Sequence, residues 1–86
     1  DGTGADAFEE QAETVWGNIL AQLHAAGMGV ENIVQATTFL ADRKFRDENR
    51  DVRMKMLDGH VFALTVVLAS MFEEDWLLEI DAIAEQ

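Results

Sequence analysis

The chain reads as an α+β domain in which two helices lie on one face of a three-stranded mixed sheet. Two stretches carry apolar residues at helical spacing, and three shorter ones are rich in β-branched and aliphatic residues. Their order is α-β-α-β-β, and a strand, crossover helix and strand in succession imply a right-handed parallel pair. The C-terminal stretch 76–84, WLLEIDAIA, alternates with period two. With 86 residues, 49% hydrophobic and 27% charged, the chain is one domain, 1–86, too apolar for disorder but thin in its stability margin.

Taken in order, residues 1–5 (DGTGA) read as a flexible lead. Asp6 reads as a helix N-cap, with Glu9 completing a capping box. Phe8, Ala12, Val15, Ile19, Leu23 and Ala26 then mark a helix over 7–26, widened by Trp16 and Leu20 and stopped by Gly27. Residues 32–41 (NIVQATTFLA) predict a strand with Ile33, Gln35, Thr37 and Phe39 on one face and Val34, Ala36, Thr38 and Leu40 on the other. Asp42 caps a second helix, about 43–57, with Phe45, Val52 and Met56 on its apolar stripe. Asn49 interrupts that stripe; it is either a satisfied structural amide or an amide lining a pocket. Gly59 ends the helix, His60 follows in a loop, and 63–71 (ALTVVLASM) read as a strand covered on both faces. Glu73, Glu74 and Asp75 form an acidic turn that sends the last strand, 76–85, back antiparallel to its predecessor. Three strands leave two open edges, so a covering partner is expected.

In that last strand, Trp76, Leu78, Ile80, Ala82 and Ala84 form an apolar face, while Leu77, Glu79, Asp81 and Ile83 form the other. Two carboxylates among aliphatic neighbours are paired, shifted in pKa or chemically employed. Glu79 near the amide of Asn49 suits general acid/base work on a small molecule.

Charge narrows the partners. At −11 the chain repels phosphate backbones, which disfavours nucleic acid. All six Lys and Arg lie between Arg43 and Lys55. Arg43, Arg46, Arg50 and Arg53 form one flank, and i,i+4 pairs are expected for Arg43/Asp47, Lys44/Glu48 and Asp51/Lys55. No aromatic is interleaved with this stripe, so its arginines are expected to be solvated or to meet acids of a neighbouring subunit. No cysteine is present, so thiol and disulfide chemistry are excluded. His24 and His60 lack companions at ligand spacing, so no metal is expected. No run reaches the ~20 apolar residues of a membrane span. No signal peptide is read, and the opening at Asp1 is expected to fall short of a natural start.

FEEQ (8–11), LHAAGMG (23–29), NIVQATTFLAD (32–42), Phe45 with Asn49, the Gly-His of 59–60 and above all WLLEIDAIA (76–84) resemble the YjgF/RidA family of reactive-intermediate deaminases, also labelled endoribonuclease L-PSP. The resemblance runs from Phe8 to Ala84 and lacks the family's N-terminal strands, which lie beside the terminal strand. It implies a chorismate-mutase-like subunit, a cytoplasmic homotrimer with clefts between subunits, and cofactor-free hydrolysis of small imines or enamines. Glu79 matches the acid that handles water and a proton; Asn49, Leu64 and Val66 match positions at the substrate cleft. Leu64 stands where the family's deaminases carry an arginine for the substrate carboxylate, which implies an altered substrate. A non-catalytic ligand-binding or chaperone-like trimer and an endoribonuclease are the alternatives.

Overall fold

In the computed structural model, residues 5–71, 73 and 75–86 are described. Helix α1 (Ala5–Ala25) is followed by strand β1 (Ile33–Leu40), helix α2 (Arg46–Met56), strand β2 (Ala63–Leu68) and strand β3 (Leu78–Ala84). The sheet runs β2-β1-β3, with β1 parallel to β2 and antiparallel to β3. The chain is thus α+β, in the expected element order. The expected lead over residues 1–4 and Glu74 of the acidic turn lie outside the described residues. Asp6 falls within the backbone of α1 rather than ahead of it, and its side chain, with the expected capping bond, also lies outside the description.

Both helix ends obey local rules. Gly27, at φ 77°, closes α1: Met28 N donates to Leu23 O (2.8 Å) and Gly27 N to His24 O (3.0 Å), the two bonds of a Schellman cap. Before α2 comes a 3-10 turn, Arg43–Phe45, whose entry Asp42 caps by accepting from Lys44 N at 2.9 Å. At the other end Asp58 takes the first left-handed position (φ 53°) and Gly59 the next (φ 75°), with Gly59 N donating to Met54 O.

The core lies between the helices and one face of the sheet. Phe8, Ala12 and Trp16 of α1 meet Phe45, Val52 and Leu57 from around α2, over Ile33, Ala36, Leu40 and Leu78. The rings of Phe8 and Phe45 stack at 4.7 Å and 11°, joining the two helix entries.

Four expectations fail for identifiable reasons. The alternation of β1 breaks near its start: register shifts between Ile33 and Gln35, so Ile33 is 1% exposed while Val34 is 41% exposed. A bulge adds a residue and reverses the facing of what precedes it. Ile33 therefore joins Ala36, Thr38 and Leu40 in the interior instead of Gln35, Thr37 and Phe39.

Strand β2 is not covered on both faces. It is an edge strand, the helices pack on each other and over β1 and β3, and Val66, Val67 and Leu68 are exposed. Its apolar composition exceeds what a single chain can bury.

The last strand begins at Leu78, and Leu77 before it packs against the core instead of sharing a face with Glu79. Its partner is β1, so the connection from β2 passes the end of β1. Ala69 N donates to Leu40 O and Ala41 N to Leu77 O, each at 3.0 Å.

The expected i,i+4 ion pairs on α2 do not form. Arg43 and Lys44 sit on the 3-10 turn, where helical spacing does not hold. Arg46 and Arg50 meet the adjacent Asp47 and Asp51 at 3.9 and 3.6 Å, exposed. Lys55 crosses to α1, pairing with Glu13 and, at 3.7 Å, with Glu9.

Candidate functional site

On the sheet face away from the helices, register aligns the side chains in rows. Glu79 lies beside Phe39, which lies beside Val67; Asp81 lies beside Thr37, which lies beside Thr65. Glu79 and Asp81 therefore share this face, as the alternation requires. In the single chain both are exposed. The expectation of a half-dry Glu79 supposes a neighbouring copy over the strand, and the single chain leaves the side chain exposed.

Glu79 nevertheless lines a groove. About 580 Å³ lies between the first half of α1 and the outer edge of β3, bounded by Gln11, Thr14, Trp76, Leu78, Glu79 and Ile80, among others. That volume is within the range of small-molecule sites. Among the described residues no strand pairs with this edge of β3. Glu10 and Asp75 also line the groove, at the α1 and turn sides, and apolar walls beside the strand carboxylate Glu79 can hold a small organic molecule and move a proton to or from it.

Gln11, which sequence reasoning did not single out, fixes the geometry. Its Nε2 donates to Asp75 O at 2.8 Å, and its Oε1 accepts from Leu77 N at 2.9 Å. One side-chain amide thus satisfies both senses of backbone group and ties the approach to β3 onto α1. Its place in FEEQ, on the flank of the apolar stripe, was the available signal. At the far end, Asn32 Nδ2 donates to Glu85 O (3.0 Å), and Glu85 N donates to Asn32 O (2.9 Å). The strand bearing Glu79 is pinned at both ends.

The other sequence-predicted residues are not gathered here. Asn49 is 2% exposed among core residues, and its Oδ1 has no hydrogen-bond partner among the described residues. It does not line the groove. Leu64 and Val66 align with Ala36/Ala82 and Thr38/Ile80, placing them on the helix side, opposite Glu79. Leu64 instead lines a separate hollow of about 150 Å³ with Arg53, His60 and Phe62. Among the described residues no group of three or more His, Asp or Glu is placed to hold a metal ion, and no helix is long and apolar enough to cross a membrane.

The sequence model of the family described as endoribonuclease L-PSP matches residues 1–86. The chain belongs to the endoribonuclease L-PSP family. Solved structures share this fold. E. coli TdcF with bound serine is 28% identical, with a TM-score of 0.85 over 92% of this chain and 65% of its own. Yeast Mmf1 is 31% identical, with a TM-score of 0.81 over 90% of this chain and 62% of its own. A Pseudomonas aeruginosa protein of unknown function is 30% identical, with a TM-score of 0.80 over 85% of this chain and 54% of its own. The chain thus spans somewhat less than two thirds of the length of these three proteins. No curated protein matches it.

Proposed function

We propose that this L-PSP-family chain acts on small imines or enamines at the Glu79 groove, without a cofactor, in a homotrimer whose neighbouring subunit dries the carboxylate. The carrying observation is the position of Glu79 on a groove with apolar walls beside a sheet edge that no described strand pairs. Water adds across the C=N bond, the Glu79 carboxylate taking one water proton and returning it to nitrogen to give a carbinolamine; the carboxylate then takes the hydroxyl proton and passes it to nitrogen as the C–N bond breaks and the C=O bond forms, giving a carbonyl and ammonia. TdcF holds serine, so amino-acid-sized ligands are the class to test first. Residues outside this chain's span of its relatives, or from a neighbouring copy, would complete the cleft.

The experiment measures ammonia release from freshly generated imino acids. The native chain should turn over, and Glu79→Gln should lose all but a residue of that rate while melting at the same temperature. Absence of turnover in the native chain refutes the deaminase reading.

The resemblance at Leu64, although the structure sets that residue across the sheet from Glu79, suggests a second reading. The resemblance puts the carboxylate-binding arginine at that position, and a leucine cannot form the bidentate contact. Either the substrate lacks that carboxylate, or the oligomer binds ligand without reaction, in a chaperone-like role. Ligand-induced thermal stabilisation without turnover would select the latter. Ribonuclease action, carried by the family description, is opposed by the −11 charge and is tested by incubation with RNA.

A further inference from the structure

We propose that the hollow between the end of α2 and the start of β2 binds the carboxylate of a small aliphatic acid, with Arg53 as its charged anchor. The site lies across the sheet from Glu79 and does not depend on the reading above.

Arg53 is half-buried, and it takes part in none of the ion pairs among the described residues. Its neighbours on the stripe differ: Arg46 and Arg50 each stand against an aspartate and are exposed. Burial, with the charge of Arg50 behind it, pushes the Arg53 pKa below the ordinary arginine value. A guanidinium partly removed from water without a counter-ion gains most from an anion, and its planar fork matches a carboxylate.

His60 shapes the hollow and leaves Arg53 as its anion-binding donor. Its Nε2 lies 2.9 Å from Ile33 O, and a carbonyl can only accept, so Nε2 carries the hydrogen. Nδ1 of the neutral ring is then an acceptor and offers nothing to a carboxylate, so the ring serves as wall, held flat against Phe62 at 5.6 Å. Met54, Val61, Phe62 and Leu64 make the remaining wall apolar. About 150 Å³ is room for roughly five water-sized groups at ~30 Å³ each, enough for a carboxylate and a short chain.

Helix C-termini repel anions, but here Leu57 N and Gly59 N already satisfy the carbonyls of Arg53 and Met54. Charge distribution also directs an anion to this end. Residues 43–55 hold all six Lys and Arg against three acids, whereas the other fourteen acids lie outside that segment.

Butyrate is the probe and butyramide its neutral counterpart, each titrated into the full chain while backbone amide signals are followed. Butyrate should bind with a Kd of ~1 mM, as befits a ligand of so few atoms, and should shift Gly59, His60 and Phe62 first. Butyramide should not. Arg53→Gln should weaken butyrate about tenfold or more, whereas Arg46→Gln, an equal loss of charge outside the hollow, should change it less than about twofold. Glu79→Gln should bind butyrate as the native chain does, which separates this site from the deaminase reading. If butyrate shifts the β3 groove instead, binds no better than butyramide, or responds equally to both arginine variants, the proposal is overturned. The shifts in the native chain decide the matter even if Arg53→Gln fails to fold.

Discussion

Gln11 does for the β3 groove what a cap does for a helix: it supplies hydrogen bonds that the backbone cannot make for itself. Leu77 N is partly buried and Asp75 O is exposed, so the two bonds are worth unequal amounts. Gln11→Ala should cost about 1–2 kcal/mol in urea unfolding and should weaken any ligand of the groove more than it lowers stability. Glu79→Gln, by contrast, alters an exposed side chain without a structural bond and should leave stability within about 0.5 kcal/mol. The pair separates architecture from chemistry within one groove. The sequence told of Glu79 through the period of its strand, but not of Gln11. A polar residue on a helix flank reads as solvated until the segment it touches, 64 or 66 residues away, is known.

Among the elements, those governed by local rules were legible and those governed by distant partners were not. Gly27 and Asp42 bound their helices because a left-handed φ and an N-cap bond are decided within a few residues. The bulge near Ile33 and the edge position of β2 depend on pairing across the sheet, and composition carries no trace of either. Lys55 is another case: i,i+4 spacing pointed to Asp51, yet the packing of α1 on α2 offers two glutamates. The hydrogen bond with Glu13, opposed by desolvation and aided by the charges of Glu13 and Glu9, raises the Lys55 pKa. The folded state then holds the proton more tightly than the unfolded chain does. The contribution is fully present below the unfolded value, 10.5, and is lost as pH rises through the raised folded value. The stability gap between the native chain and Lys55→Met should therefore be visible at neutral pH and close at strongly alkaline pH, by urea melts at both.

At the scale of the whole molecule, the sheet has one face covered by helices and one bare. The bare face carries Val67 and Ile83 exposed, with Thr37 and Phe39 between the outer strands. Apolar surface at the centre of an uncovered sheet is what a subunit interface uses. If this face joins the proposed trimer, Val67→Lys, at an exposed position that costs the single chain little, should lower the solution mass from three chains to one. A native mass of one chain would remove the trimer from the proposal. The fold class was legible at this scale, because helix and strand order leaves few topologies. The assembly was not, because an apolar edge strand looks the same whether another strand or another molecule buries it.

The confinement of every lysine and arginine to α2 and the 3-10 turn before it has a practical consequence. Trypsin has no cleavage point elsewhere, so residues 1–42 and 56–86 survive digestion whole. Proteolysis by this enzyme becomes a clock for the opening of one helix and the turn that leads into it, read against an otherwise silent background.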